Sequence, residues 1–268
     1  MKQRIITGAL LAIVLGLFVY FGEGEWEFLF SGLCVLLAGV AAYEFMKMTR
    51  TNQKIRLIDF LVIDLTVLFV LLNVLFFRKD WYYLAVFIFL IGLIFLYALI
   101  YIFVDSFKQS DLANQLLTIF YCSFGFVGFA YLRTVGIHLI IYLFIVTMLT
   151  DVFAYFIGVK FGKHRLAAKI SPKKSIEGAL AGLVIAGVLG SLYAYYLNVL
   201  EYDYVLVLLM SFGLSIVSQI GDLIASKFKR EAGIKDYGNI FPGHGGVLDR
   251  FDSSMFAAMV LMFFVMVL

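Results

Sequence analysis

Asp249 and Asp252 lie three residues apart and flank Arg250. They close a segment that also carries Lys227, Lys229, Arg230, Lys235 and the run Pro242-Gly243-His244-Gly245-Gly246. Acids converging beside cations suit Mg²⁺ held against phosphate oxygens, because Mg²⁺ takes one or two protein carboxylates and completes its shell with water and substrate. A proline-fixed φ followed by glycines suits a tightly turned backbone that can present N–H groups to an anion. Phosphate and hard-metal chemistry is therefore the first expectation for residues 226–252. Plainer readings exist: helix capping and a surface ion pair for Asp249, Arg250 and Asp252, and a connecting turn for the glycines. The density of neighbouring cations favours phosphate binding.

Two further groups extend the expectation. Ser211, Ser215, Ser218, Asp222 and Ser226 recur at helical spacing and draw a polar stripe along an apolar segment. The serines alone suit helix packing, whereas an ionisable residue in such a segment is by default functional, so Asp222 is expected to hold metal or substrate. Asp151 has the same reading, with Tyr155 and Gly158 on its face. In Lys169-Ile-Ser-Pro-Lys-Lys-Ser-Ile-Glu-Gly178, Lys173 and Lys174 precede Ser175, whose hydroxyl can cap a helix and turn its N–H groups toward an anion. Attraction of these lysines to anionic lipid is an equally physical reading. No metal-ligand spacing joins His138, His164 and His244, and Gly158 to His164 lacks the spacing and hydroxyl of a P-loop.

The elements that must position these groups follow from composition. The chain has 268 residues, 63% hydrophobic and 15% charged, with a mean hydropathy of +1.01. Apolar runs recur near the roughly 20 residues that span a bilayer. Such runs must satisfy their own backbone, and they lack the alternation of a membrane barrel, so an all-α polytopic integral membrane protein is expected. Spans are expected at about 5–21, 26–46, 57–77, 81–104, 112–132, 137–159, 177–198, 204–225 and 253–268, the first an uncleaved helix. Nine spans with the N-terminus in the cytoplasm put eighteen of the 21 Lys and Arg on the inner side and three outside. The polar loops 160–176 and 226–252 then share the cytoplasmic face, and a short acidic Gly-Glu-Gly-Glu turn at 22–25 lies outside. A division into residues 1–135, with about five helices, and a catalytic region 136–268, with about four helices and both loops, is expected. Cys34 and Cys122 read as core residues. Asp59 and Asp64, about 140° apart around a helix, cannot form a carboxylate pair by themselves and either pair across helices or snorkel.

At this point the chain resembles the phosphatidate cytidylyltransferases, also called CDP-diacylglycerol synthases. Their C-terminal signature runs Ser-x-apolar-Lys-Arg-x4-Lys-Asp-x-small-x2-apolar-Pro-x-His-Gly-Gly-apolar-x-Asp-Arg-apolar-Asp, and Ser226 through Asp252 is similar at each fixed position. The likeness extends to Asp151-Val-Phe-Ala-Tyr155 with Gly158, to Ile170 through Gly178, and to Gln219-Ile-Gly-Asp222. In the N-terminal half it is confined to the pattern of spans and to Tyr43-Glu44. Ser175 stands where the family often has Thr, and Ala225 where it often has Glu, so no acid at that position is required here.

The resemblance implies transfer of the cytidylyl group of CTP to phosphatidate, giving CDP-diacylglycerol and pyrophosphate with Mg²⁺ as cofactor. Whether a monovalent cation joins it stays open. On that reading Asp222, Asp249 and Asp252 are the metal candidates. Lys173, Lys174, Lys227, Arg230, Lys235 and Arg250 grip phosphates, with Ser175 and Asp151 alongside, and His244, Gly245 and Gly246 shape the nucleotide loop. The expected partners are CTP, phosphatidate and the lipid bilayer, with no nucleic acid; a family-like homodimer and a bacterial inner-membrane location belong to the same expectation. The rivals are an anionic-solute transporter, which would spread polar residues to mid-membrane depth, and a CTP-dependent lipid kinase, which would release CDP.

Overall fold

The computed structural model describes residues 2–22, 26–51 and 53–267, with residues 2–7 and 11 by backbone alone. Among these, nine helices follow in order: α1 (Lys2–Phe21), α2 (Glu27–Thr49), α3 (Leu61–Phe76, entered through a 3₁₀ turn at Leu57–Phe60), α4 (Tyr82–Phe103), α5 (Gln109–Val135), α6 (Ile137–Phe161), α7 (Ile176–Tyr196), α8 (Tyr204–Glu231) and α9 (Leu248–Val267). Eight of them, α2 through α9, are long and apolar enough to cross a membrane, and α1 adds the apolar stretch Gly8–Phe21. The all-α polytopic expectation holds. Part of the acidic turn expected at 22–25 falls outside the described residues.

Three boundaries depart from the sequence reading, each for a local reason. α8 continues past residue 225 to Glu231 because Lys227, Lys229 and Arg230 occupy its C-terminal turns, where the helix dipole favours cations. α9 begins at Leu248, five residues before the expected start, so Asp249 and Asp252 stand on its first turns. The loop between them shrinks to residues 232–247. Finally, loop 160–176 contains a small antiparallel hairpin, β1 (Arg165–Ala167) with β2 (Ser171–Ser175), registering Arg165 with Ser175 and Ala167 with Ser171.

The main core draws on α2, α5, α6, α8 and α9, and a smaller one joins α3, α4 and α5. The α8 serine stripe packs as expected of small hydroxyl residues: Ser211 Oγ meets Tyr142 Oη and Ser215 Oγ meets Thr150 Oγ1, each at 2.7 Å, binding α8 to α6. α7 lies close along α6, where a Cβ on Gly182 would stand 2.5 Å from the Thr150 carbonyl oxygen. Such close approach of small residues is the usual source of helix association in lipid. Cys34 and Cys122 are buried and free.

Asp59 does pair across helices. Arg50 reaches Asp59 at 2.6 Å and Asp111 at 2.7 Å, while Arg56 bonds the same two acids at 3.1 and 3.0 Å. Gln115 donates to Asp59 at 3.2 Å and accepts from Tyr97 Oη at 2.9 Å, so the network ties α2, α3, α4 and α5 together. Arg50, Asp59 and Asp111 are buried. Removing one partner of a buried ion pair typically costs about 3–5 kcal/mol. Arg50→Ala is expected to destabilise by about that amount, read as a lowered thermal unfolding midpoint in detergent; an unshifted midpoint would refute a stapling role.

Candidate active site

Alternating helix directions bring the C-terminal turns of α2, α6 and α8 and the N-terminal turns of α7 and α9 to one end of the bundle. There four carboxylates converge on two ammonium groups. Asp222, near the end of α8, pairs with Lys174 from β2 and accepts from Ser226 Oγ at 3.3 Å. Asp151 on α6 accepts from Ser253 Oγ of α9 at 3.1 Å. Lys229, buried on α8, lies 2.8 Å from Asp249 and 3.8 Å from Asp252, with its ammonium 5.0 Å from the centre of the Tyr237 ring. Burial pushes the Lys174 ammonium below the ordinary lysine range; the charges of Asp151 and Asp252 oppose that shift and Lys229 adds to it.

Asp249 has a second duty. Its Oδ1 accepts from Lys229 Nζ, and its Oδ2 accepts from the backbone of Tyr237 at 2.7 Å and of Gly246 at 3.0 Å. Both oxygens are thereby engaged, and loop 232–247 is latched to α9. The loop turns sharply, with Gly243 and Gly245 at φ of 76° and 84°, where glycine carries no Cβ penalty. The amides of Val247 and Leu248 donate to Glu44 of α2 at 3.0 Å each. Of the run expected to present amides to an anion, Gly246 instead donates to Asp249, and the neighbouring Val247 and Leu248 amides donate to Glu44. α7 behaves alike: Ser175 caps it as expected, accepting from Gly178 N at 3.2 Å, while Ile176 N donates to the His164 carbonyl at 2.9 Å.

Charged side chains left facing open space line two cavities. A cavity of about 660 Å³ opens between α6, α7, α8 and the hairpin, lined by Asp151, Asp222, Lys173, Lys174, Ser175 and Arg165 among others. That volume lies within the range of about 300–1,000 Å³ usual for small-ligand sites. Arg250 and His244 border a second, largely apolar groove that also reaches Asp151. Three expected phosphate ligands lie apart from both cavities. Lys227 is exposed and faces Glu231 at 3.7 Å, Lys235 is exposed, and Arg230 bonds the carbonyls of Ile170 and Ile234, clasping the hairpin. The α8 lysine facing the acids is Lys229, two positions on from Lys227.

The donors fit a divalent cation that shares its shell with substrate. At their ordinary charges, four carboxylates against two ammonium groups leave two negative charges for a cation to offset. Among the described residues no three His, Cys, Asp or Glu side chains form a ready metal cage. Mg²⁺ needs none, since one or two carboxylates suffice beside phosphate oxygens.

Fold and site together define a polytopic membrane protein with a cluster of acidic and basic side chains at one end of its helices. The profile of the cytidylyltransferase family matches residues 2–268. The chain belongs to that family. It is similar to a protein of Bacillus subtilis (strain 168) named phosphatidate cytidylyltransferase, 35% identical over 271 residues that cover 98% of this chain and 97% of that protein. Proteins of the same name from Staphylococcus haemolyticus (strain JCSC1435) and Staphylococcus aureus (strain COL) are 43% and 41% identical over 157 residues. Those matches span 60% of the length of each staphylococcal relative and 59% of this chain.

Proposed function

We propose that the protein is a CTP:phosphatidate cytidylyltransferase, making CDP-diacylglycerol and pyrophosphate for phospholipid synthesis. The observation that carries this reading is the cluster of Asp151, Asp222, Asp249 and Asp252 around Lys174 and Lys229, bordering a cavity with Lys173 and Arg165 on its wall. Family membership and the names of its relatives support the choice of substrates. A phosphate monoester has a second pKa near 6, so the lipid phosphate is already largely dianionic at neutral pH and needs no strong base. Its oxygen attacks the α-phosphorus of CTP, the bond to the β-phosphate oxygen breaks, and the electron pair leaves with pyrophosphate. The protein's work is then alignment and charge neutralisation.

Lys173, Lys174 and Arg165 would grip the triphosphate and hold the departing pyrophosphate. Asp222 and Asp151 line the cavity and would hold Mg²⁺, which when bound neutralises phosphate charge. Asp249 and Asp252, through Lys229, would set the position of α9 beneath them. The reactive end of the bundle would face the cytoplasm, where CTP is, in a bacterial cell membrane; the bias of Lys and Arg toward that end supports it. The site acids gather toward one end of the bundle, with Asp249 and Asp252 in the first turns of α9 and Asp151 and Asp222 in the C-terminal halves of α6 and α8, which favours chemistry at one membrane surface over a path through the bilayer.

The test uses purified protein in detergent with phosphatidate, Mg²⁺ and CTP labelled in the α-phosphate. Label should enter the lipid phase with stoichiometric pyrophosphate, and EDTA should stop it. Asp222→Asn should lower the rate by about 10²–10³-fold, the size of effect that loss of one transition-state electrostatic partner has. CDP release without lipid label would establish a kinase instead.

A further inference from the structure

Between α1, α6 and α9 lies a groove of about 730 Å³ whose walls are mostly aliphatic. It follows α1 from Gly8 to Val19 and α6 from Ile141 to Asp151. At 1.5 Å per helical residue these stretches measure about 16 and 15 Å, half of a hydrocarbon core of roughly 30 Å, so the groove is about as long as one leaflet is thick. Its polar lining is concentrated at the end that meets the acid cluster, where Asp151, His244 and Arg250 lie. Arg250 is exposed and its guanidinium makes no hydrogen bond or ion pair among the described residues. His244 Nδ1 is buried without a hydrogen-bond partner there, although buried polar atoms are nearly always paired. At the lipid side α1 leaves room: Gly16 is exposed, and a Cβ built on it would meet nothing within 4 Å.

We propose that this groove is the lipid subsite. It takes the acyl chains of a two-chain phospholipid whose phosphomonoester head is gripped by Arg250 and His244, beside Asp151. The identification rests on the transfer reaction proposed above. Depth, aliphatic walls and an unpaired cationic end together select the ligand class. A neutral lipid would leave Arg250 unmatched, and a free nucleotide would bury charge against Met148 and Ile145. Asp151 borders both the groove and the polar cavity, so a head at this end lies next to a nucleotide held by Lys173 and Lys174. The guanidinium fork suits phosphate geometry.

Gly16→Leu fills the groove without touching the acids. It is expected to raise KM for dioleoyl phosphatidate about tenfold, the cost of burying roughly two fewer methylene groups. KM for CTP and for dihexanoyl phosphatidate should stay within about twofold. A long-chain KM unmoved by Gly16→Leu would overturn the assignment. A second measurement needs no turnover: wild-type protein in nanodiscs is irradiated with a phosphatidate carrying a diazirine in its acyl chain, and the adducts are mapped. Adducts on residues 8–19 and 141–151, displaced by phosphatidate but not by phosphatidylglycerol, support the subsite. Adducts elsewhere, or equal displacement by phosphatidylglycerol, refute it. If wild-type protein moves no label from CTP to any lipid, the transfer reaction falls while the adduct map still decides the groove.

Discussion

Asp249→Ala is expected to abolish cytidylyl transfer and also to lower stability by about 3–5 kcal/mol, because it strands a buried lysine. Lys229 is 8% exposed and Asp249 likewise 8%, so neither charge can turn to water without local rearrangement. The same substitution removes the acceptor of the Tyr237 and Gly246 amides, and the loop carrying His244 loses its latch. The two effects separate in a cycle. Lys229→Met added to Asp249→Ala removes the stranded charge and should recover much of the unfolding midpoint, while transfer stays at background. Asp249→Asn keeps one acceptor for the loop and should sit between wild type and alanine in stability. An alanine variant with wild-type midpoint would remove the latch, and one with wild-type transfer would remove Asp249 from the site.

How far the sequence disclosed this arrangement depends on the distance over which each feature is determined. Spans were legible because hydrophobic length is local, and the Ser175 cap because a hydroxyl three residues before Gly178 is a local pattern. The choice between Lys227 and Lys229 was not legible from charge density. Two residues on a helix differ by about 200° in direction, and only the placement of α9 decides which of them faces the acids. Likewise Asp249 and Asp252 read as loop because the partners that start α9 beneath them come from elsewhere in the chain. Arg165 has no motif around it to single it out, and it is the hairpin that sets it on the cavity wall. The glycine-rich run is tightly turned as its composition implies, yet the Gly246 amide faces Asp249 and the two amides that follow the run face Glu44, which spacing within the run cannot show.

Glu44 is where that non-local determination is greatest. It is 2% exposed, stands on α2 and accepts from amides 203 and 204 residues further on. It thus serves as the N-terminal cap of α9 that the local sequence does not supply, with its charge at the favourable end of the helix dipole. The contact is close from the loop side too, since a Cβ on Gly246 would fall onto the Glu44 carboxylate. Hydrogen bonds to a charged group contribute about 1.5–3 kcal/mol each. Glu44→Gln, which turns one donor toward another, should therefore cost about that much, and Glu44→Ala more. Gly246→Ala should resemble Glu44→Ala, because the methyl group must displace the carboxylate. In each variant transfer should fall at least about tenfold although Glu44 lines neither cavity, since Asp249 and Asp252 move with α9. Hydrogen exchange makes this specific: Val247 and Leu248 amides should lose protection in Glu44→Gln while those of the Arg50–Asp59–Asp111 region keep theirs. Unchanged protection at Val247 and Leu248 would show that α9 is capped by something else. Loss of protection throughout the bundle would make Glu44 a general core residue. The expected pattern, confined to the loop and the first turns of α9, would make the N-terminal helices part of the active site's construction.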